Sequence, residues 1–369
     1  MNSIATVPLF IVALIGLLTW RLSPKSDTRL VVLGAAMAYL ANTPVLFWLG
    51  WTLTTLPLLK GQAKAPKLVL LASTGLLGAG FLMAAWGPSP WAFGLIAAAA
   101  LLRKGIFPFH FWIPMAFETA DLGVVNLMLN SHLGAFALLR FGVPLAPEVA
   151  RQAIGFLAVL ALFTAVYTAL LATVAKRPRR ILALLCTSQA SFILAGIENR
   201  NLEGITGALI HWVVVSLTTS SLVLVYQALE NRTKEVTEPA GYLGFGYHAP
   251  RLAVFFAINM LALVGLPGTL GFAAEDLLFH GSLESHPLLG IGLPLATALN
   301  AITGYRLMTK LFLGRRSQAT PVIPDALPQE RWALVAPALI LVAGGLFPNV
   351  VVALREPAAE SILSVLGSR

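Results

Sequence analysis

The chain has 369 residues and a formal net charge of +9, and 57% of its residues are hydrophobic whereas only 11% are charged. Soluble proteins carry about a quarter charged residues, so this composition, with a mean hydropathy of +0.82, excludes a soluble globular domain. It indicates a protein embedded in the lipid bilayer. The excess of Lys and Arg is then explained by membrane topology, and no nucleic-acid partner is expected.

Apolar segments recur along the chain, and many are long enough to cross a hydrocarbon core about 30 Å thick as a helix. Residues 68–86 and 153–174 are apolar on every face, which favours helices over alternating strands. The first segment lacks a basic leader and is expected to stay as a helix. The sequence therefore predicts an all-α polytopic membrane protein of about 12 transmembrane helices. The spans lie near residues 5–22, 28–43, 45–59, 67–86, 90–113, 121–143, 152–175, 180–197, 203–229, 250–283, 287–313 and 332–354.

Two places in this pattern contain helix-breaking residues. Only Asn42-Thr43-Pro44 separates the second and third segments, so the pattern fits two short helices or one long kinked helix. The tenth segment is too long for one straight crossing, and Gly265-Leu266-Pro267-Gly268 at its centre is predicted to break the helix. Broken backbone at membrane depth is tolerated only inside the protein or beside a watery cavity. The tenth segment is therefore a functional candidate.

Lys and Arg are distributed unevenly between the predicted loops, and short cytoplasmic loops accumulate these residues. With twelve spans, one side collects Arg21, Lys25, Arg29, Lys60, Lys64, Lys67, Lys176, Arg177, Arg179, Arg180, Arg232, Lys234, Arg251, Lys310, Arg315, Arg316 and Arg331, and the other receives Arg140, Arg151, Arg200, Arg355 and Arg369. This asymmetry predicts a multi-pass protein of a bacterial inner membrane with both termini outside the cytoplasm. Loops 230–249 and 315–331 are predicted as cytoplasmic docking surfaces, with ordinary solvated loops as the alternative.

A few ionisable residues fall inside the predicted spans, where burial is costly and usually marks an ion or proton path. They are Arg103, Lys104, His132, His211, Glu275 and Asp276. The two cations can instead extend towards an interface, and His132 can be a neutral histidine bonded to a carbonyl group. Adjacent acids on a helix point about 100° apart, so only one of the pair faces the interior. We expect this one to be Glu275, one helical turn beyond the Gly-Pro break.

The chain carries no sign of a cofactor of its own. Its lone Cys186 excludes an intramolecular disulfide and a cysteine-ligated metal cluster within this chain, and is expected to be a small core residue. No convincing dinucleotide fingerprint or P-loop is present. We therefore expect no cofactor, no metal and no catalytic chemistry in this chain, so that any redox or hydration chemistry belongs to a partner.

Three stretches resemble one family. Residues 104–114 resemble its PFHxWLP signature, which includes His110, and Glu118 lies where many members carry an acid. Residues 177–189 are similar to its DIKRLLAYSTISQ segment, and His211 follows where the family places a histidine. Gly265 to Glu275 resembles the broken helix GLPPxxGFxxK/E. Over roughly residues 30 to 315 the chain is identified as a short, divergent member of the antiporter-like, proton-conducting subunits of respiratory complex I and of multisubunit cation/proton antiporters.

The resemblance implies a single membrane domain built from two inverted five-helix repeats, each with a broken helix and a proton half-channel. Residues 28–175 would form the first repeat and 176–315 the second, with an extra helix in 1–27 and a C-terminal helix and tail in 332–369. Protons would pass between side chains and bound water at the middle of the membrane. The implied relay residues are Glu275, His211, His132, Lys104 and Arg103, with Asp276, Glu118 and His110 as secondary candidates.

The departures from the family pattern concentrate in the first half. Trp51-Thr52 stands where members carry a glutamate, five residues before Pro57, and Arg103 occupies the place of the partner lysine. Arginine holds its proton too tightly to exchange it. Uncharged Ser216 lies where a further lysine is expected, and the chain is shorter than usual members by about two spans. The usual Glu-Lys coupling of the first half is therefore expected to be lost.

Three functions agree with these observations. The first is a proton-translocating subunit of an energy-coupled complex, namely the membrane half of an inorganic-carbon accumulation system whose partner is a carbonic-anhydrase-like zinc protein. The second is a proton-pumping subunit of a complex I-like or hydrogenase-like oxidoreductase with redox partners. The third is a membrane anchor that does not conduct and only docks a catalytic partner. The transported ion is expected to be the proton, with sodium as the alternative.

Overall fold

The computed structural model describes residues 2–60, 63–237, 241–314 and 322–367, and every regular element within these ranges is helical. The predicted all-α class is confirmed. Arg315, Arg316 and Arg369 lie outside the described residues, as do parts of the two predicted docking loops, at 238–240 and 315–321.

The first group of helices contains Arg103 and Lys104. It comprises α1 (Asn2–Leu22), α2 (Arg29–Leu40), α3 (Pro44–Leu59), α4 (Lys64–Ala84), α5 (Pro90–Lys104), α6 (Trp112–Thr119), α7 (Leu122–Asn130), α8 (Leu133–Ala137) and α9 (Val143–Leu145). A π-helical turn, Leu138–Gly142, joins α8 to α9. The start of helix α3 is capped as the sequence suggests. Its first residue is Pro44, and the hydroxyl group of the preceding Thr43 accepts a hydrogen bond from the Leu46 amide.

The second group of helices forms the C-terminal part of the chain. It comprises α10 (Pro147–Val174), α11 (Pro178–Ile197), α12 (Leu202–Glu230), α13 (Pro250–Leu263), α14 (Leu270–Ser285), α15 (Pro287–Phe312), α16 (Pro328–Leu346) and α17 (Pro348–Leu366). The Asn201 side chain caps α12 by accepting a hydrogen bond from the Gly204 amide. Pro begins six of these eight helices, where its missing N–H leaves no unsatisfied donor.

Within the described ranges, seven helices are long and apolar enough to cross a membrane, or nine if each of two sharply bent pairs is one span. Three shorter apolar helices, α2, α3 and α13, lie where the sequence predicts the second, the third and the first part of the tenth segment. The twelve residues of α2 extend only about 18 Å, less than the hydrocarbon core. The number of crossings and the two-repeat layout therefore stay predictions.

The structure decides between the two readings of residues 28–59 in favour of two helices that pack side by side. A Cβ atom added to Gly34 of α2 would lie 2.9 Å from the amide of Thr54 in α3, and one added to Gly50 would lie 2.7 Å from the amide of Ala38. These pairs advance in opposite directions, so α2 and α3 are antiparallel. Glycine at both positions lets the two backbones approach closely, as is common between membrane helices.

Helix α12 forms the centre of the bundle and is buried along its length. Glycines bring α14 against it: a Cβ on Gly207 would lie 2.5 Å from the Leu278 amide, and one on Gly281 would lie 2.5 Å from the backbone of Gly204. Pairing 204 with 281 and 207 with 278 makes the two helices antiparallel. The same register places His211 at the level of residue 274, beside Glu275.

Three predicted spans are interrupted. The break of the tenth segment is where the sequence places it, between α13 and α14, with Gly265 and Gly268 at φ +69° and +88°. The predicted span 90–113 is wrong as a continuous helix, because Gly105 ends α5 at φ +65° and α6 resumes at Trp112 with a bend of 41°. The predicted span 121–143 is also interrupted: His132, at φ +47°, separates α7 from α8. Glycine tolerates a positive φ, so the glycines in the sequence mark the first two breaks. Histidine rarely adopts a positive φ, and nothing in the sequence around His132 signals the third break.

The C-terminal span also differs from its prediction. The predicted helix 332–354 ends at Leu346, and α17 leaves it at a bend of 94°. Pro348 explains the stop, because it has no N–H group to continue the ladder of α16. A Cβ atom added to Gly367, just after α17, would lie 3.8 Å from Nε of Arg151 near the start of α10. Helix α17 therefore runs across one end of the bundle, and its Arg355 is buried there.

An ion pair joins three elements at the opposite end. Arg179, in the first turn of α11, donates to both carboxylate oxygens of Glu230 at the end of α12 (2.8 and 2.6 Å) and to the carbonyl oxygen of Phe117 in α6 (2.8 Å). We expect Arg179→Met to lower the stability of the purified protein by about 2 kcal/mol, because it leaves a largely buried carboxylate without its partner. Thermal melting in detergent measures the loss. Arg180→Met, which removes the same charge from the exposed neighbouring position, serves as the control, and equal losses would contradict the role of the pair.

Candidate proton relay

Two of the predicted relay residues meet where α5 ends and α7 breaks. Lys104 is the last residue of α5, and its Nζ lies 3.3 Å from Nδ1 of His132. Both side chains are buried, and the His132 ring packs edge-on against Trp212 with ring centroids 5.7 Å apart. The break at His132 removes this residue from regular helix and so allows its ring to face Lys104. The pair can exchange a proton, since imidazole and ammonium both accept and release one.

Arg103 lies beside this pair but has different partners. Its guanidinium donates to the hydroxyl groups of Thr55 (2.8 Å) and Thr54, and its central carbon lies 4.3 Å above the Trp51 ring. Thr52, at the position where the family carries an acid, bonds to the carbonyl of Trp48 in its own helix. Among the described residues, no carboxylate lies within 4 Å of Arg103 or Lys104. Arg103 therefore acts as a fixed positive charge held by hydroxyls and an aromatic face.

Glu275 forms a second centre beside the break of the tenth segment. Its Oε1 accepts a hydrogen bond from the Thr297 hydroxyl on α15 (3.0 Å), and its side chain is buried. The carboxyl group packs against Gly265, where an added Cβ would lie 2.5 Å from Oε2. Neighbouring Asp276 points outward, is exposed, and lies 3.9 Å from His280. The structure thus separates the two adjacent acids as their spacing on a helix requires.

His211 lies on α12, near the level of Glu275. Its Nε2 donates to the carbonyl oxygen of Gln189 on α11 (3.2 Å), and its ring stacks on Phe192 with centroids 5.1 Å apart. Since a carbonyl oxygen can only accept, this bond assigns the hydrogen to Nε2. In the neutral ring Nδ1 is then an acceptor, and it has no hydrogen-bond partner among the described residues.

A polar stretch of α11 lies between the two centres. Cys186 and Thr187 line the same small cavity as Lys104 and His132. The next residue, Ser188, accepts a hydrogen bond from the Asn300 amide of α15 (2.8 Å). Asn300 is one helical turn from Thr297, the partner of Glu275. Four consecutive residues of α11, here called the α11 polar stretch (Cys186 to Gln189), therefore connect the surroundings of Lys104 with those of Glu275.

Several buried polar atoms along this route have no hydrogen-bond partner within the described part of the chain. They are Nε2 of His132, Nδ1 of His211, both amide atoms of Gln189, Oδ1 of Asn300 and Oγ1 of Thr303. Buried polar groups are nearly always hydrogen-bonded, to protein or to ordered water. Water molecules bound here would complete the contacts that these side chains leave open.

The secondary candidates lie elsewhere. Glu118 is half-buried and faces Arg177 at 3.9 Å, at the end of the bundle that holds the Arg179 ion pair. His110 lies between Phe107 and Tyr167, with ring centroids 5.8 and 5.2 Å away. Neither contacts the route described above. Across the described ranges, no group of three or more His, Cys, Asp or Glu residues is arranged to hold a metal ion.

The sequence interpretation missed the uncharged members of the route. Thr54, Thr55, Ser188 and Asn300 are polar residues within apolar helices, and this was the signal that could have identified them. A further polar pair lies where α7 contacts α12: Asn130 accepts a hydrogen bond from Thr219 through its Oδ1 (2.8 Å). These residues carry no charge, so a search for ionisable groups alone passes over them.

Known proteins resemble this chain in sequence. The family model described as "NADH:quinone oxidoreductase/Mrp antiporter, TM" matches residues 56–300. NADH-quinone oxidoreductase subunit 13 of Thermus thermophilus is 31% identical over 279 residues, which are 75% of this chain and 59% of that protein. The chain thus spans about three fifths of the length of this curated relative.

Solved structures share the fold. A chain of respiratory complex I from Thermus thermophilus superposes with a TM-score of 0.85 at 25% identity, covering all of this chain and 86% of that one. A chain of the membrane-bound sulfane sulfur reductase, an archaeal respiratory membrane complex, superposes with a TM-score of 0.84 at 21% identity, over 95% of this chain and 66% of that one. Since the family model covers well over half of the sequence, this chain belongs to the NADH:quinone oxidoreductase/Mrp antiporter transmembrane family.

Proposed function

We propose that this chain is the antiporter-like, proton-translocating membrane subunit of a larger energy-coupled complex in a bacterial inner membrane. The observation that carries the proposal is the polar route inside an otherwise apolar bundle, which joins the Lys104–His132 pair to Glu275 through the α11 polar stretch. Burying polar groups in a membrane protein is costly, so such a route is expected only where ions or protons pass.

Each part of the route has a chemical task in this proposal. Lys104 and His132 exchange a proton across their 3.3 Å contact, and Glu275 receives or releases one at the break between α13 and α14. Burial disfavours an ionised carboxylate whereas the Thr297 hydroxyl stabilises it, so these two effects oppose each other at Glu275. Arg103 keeps its proton and sets the local field. A change in a neighbouring charge would then shift protons along the route.

For the partners, we propose redox subunits. The titles of two similar solved structures name respiratory complexes, which supports an oxidoreductase assembly. The inorganic-carbon assembly with a carbonic-anhydrase-like zinc protein is the alternative outcome of the same experiment, and the non-conducting anchor is a third. We further propose the orientation that the loop charges favour, with both termini outside the cytoplasm.

The experiment is to purify the protein in mild detergent from its native membrane, identify its companions and their metal content, and reconstitute the whole assembly into liposomes. We expect companions with iron-sulfur clusters or flavin, and movement of protons across the liposome membrane during their turnover. A zinc-containing companion that hydrates carbon dioxide would establish the inorganic-carbon assembly instead. Companions that turn over with no proton movement would leave only the anchor function and so contradict the proposal.

A further inference from the structure

The region around Arg103 and Lys104 contains positive charge without a nearby acid. Arg103 is permanently charged, and both side chains are at least nine-tenths buried. Their partners are hydroxyl groups, an aromatic ring and an imidazole, all of them neutral or potentially positive. Within the described part of the chain, no carboxylate oxygen lies within 4 Å of either cation. A buried charge without a counter-charge is costly, so this region calls for a negative partner.

A cavity lies where such a partner would be needed. Its walls include Arg103, Lys104, Asn130, His132 and Thr187. Both cations therefore border the same cavity, together with amide and hydroxyl groups. Nε of Arg103 and Nε2 of His132 are buried and have no hydrogen-bond partner among the described residues. Arg103 Nε is a donor in every state of the side chain, and His132 Nε2 becomes one when Nδ1 accepts from Lys104.

The size of the cavity limits what it can hold. Its volume of about 20 Å³ is enough for one occupant of the size of a water molecule, for which roughly 10–15 Å³ is required. A halide ion is only slightly larger than water, whereas carboxylates, phosphate and bicarbonate are much larger. We propose that this cavity binds a single chloride ion, which acts as the counter-ion of Arg103 and Lys104.

Crystals of the assembly grown with bromide in place of chloride provide a direct test, because bromide has a strong anomalous signal. We expect a bromide peak within hydrogen-bond distance of Lys104 Nζ, inside the cavity. A cavity without a bromide peak, or bromide only at the protein surface, would overturn the proposal. This measurement needs neither a variant nor proton transport, so its outcome is independent of the proposed function.

Thermal melting supplies the second test. At constant ionic strength, replacing gluconate by chloride is expected to raise the melting temperature of the assembly by about 2 °C or more, with saturation. Lys104→Met should abolish this rise. Lys176→Met removes the same charge from an exposed position at the start of the α10–α11 connection and should preserve it. An equal rise in melting temperature with chloride in both variants would mean that chloride acts through general screening and would overturn the proposal. If Lys104→Met does not fold, the presence or absence of the bromide peak in the unmodified protein tests the proposal.

Discussion

Replacing Glu275 with Gln is expected to reduce proton translocation by about 100-fold or more, because the route then lacks its only buried carboxyl group beside the α13–α14 break in the described structure. The amide keeps the size of the side chain and can still accept a hydrogen bond from Thr297, so the fold should persist. Proton movement in liposomes that contain the whole assembly, followed with a pH-sensitive dye, measures the effect.

Asp276→Asn is the matched control, because it removes one carboxylate from the adjacent residue of the same helix. Asp276 is exposed and contacts only His280 among the ion pairs described, so its loss should leave proton movement within about twofold of the unmodified assembly. Near-normal proton movement in the Glu275→Gln assembly would remove Glu275 from the relay. Equal losses in both variants would point to an effect of net charge on α14 rather than to a buried relay.

Replacing Gln189 with Leu should slow proton translocation by about tenfold while leaving the protein at least as stable as before. Gln189 is fully buried, and neither of its amide side-chain atoms has a hydrogen-bond partner among the described residues. Leu has a similar size but offers no polar atoms, so water that bridges the α11 polar stretch to His211 would lose its contacts. Because neither amide atom bonds to another described residue, the substitution breaks no hydrogen bond within this part of the protein, and an unchanged melting temperature separates this prediction from structural damage.

Thr206→Val is the control for Gln189→Leu. Thr206 lies on α12, is buried, and its hydroxyl also has no partner within the described residues, but it is outside the route between the two centres. We expect normal proton movement from this variant and a small change in melting temperature. Slower transport together with a lower melting temperature in Gln189→Leu would indicate that this residue supports the fold and does not bridge the relay.

The two halves of the molecule differ in what they keep of the family pattern. The second half pairs a broken helix with a buried acid, Glu275, and a buried histidine, His211. The first half has a broken helix as well, but its buried cation is an arginine that bonds to threonine hydroxyls. Lys104, one residue further along the chain, is the buried cation that lies beside His132. If the proposed relay operates in the first half, its exchangeable group is displaced by one residue from the usual position.

The amino-acid sequence by itself determined the class of the protein and its main functional candidates. Hydropathy and the scarcity of charge require helices in a membrane, since no other segment structure satisfies its own backbone hydrogen bonds in lipid. Gly265 and Gly268 mark the break because their backbone angles suit glycine. The same rarity of charge in apolar spans drew attention to Lys104 and Glu275, because each buried ionisable group needs a functional reason.

Only the tertiary structure decided which polar residues meet. At the break after α7, His132 meets Lys104 of α5 and Trp212 of α12, and no local pattern marks this meeting. Ser188 and Asn300 lie 112 residues apart, and their pairing follows from how α11 packs against α15. Likewise, the hydroxyls that hold Arg103 come from α3, almost fifty residues earlier. Sequence periodicity describes the faces of one helix, whereas a route through the bundle is defined by side chains of several helices at the same depth.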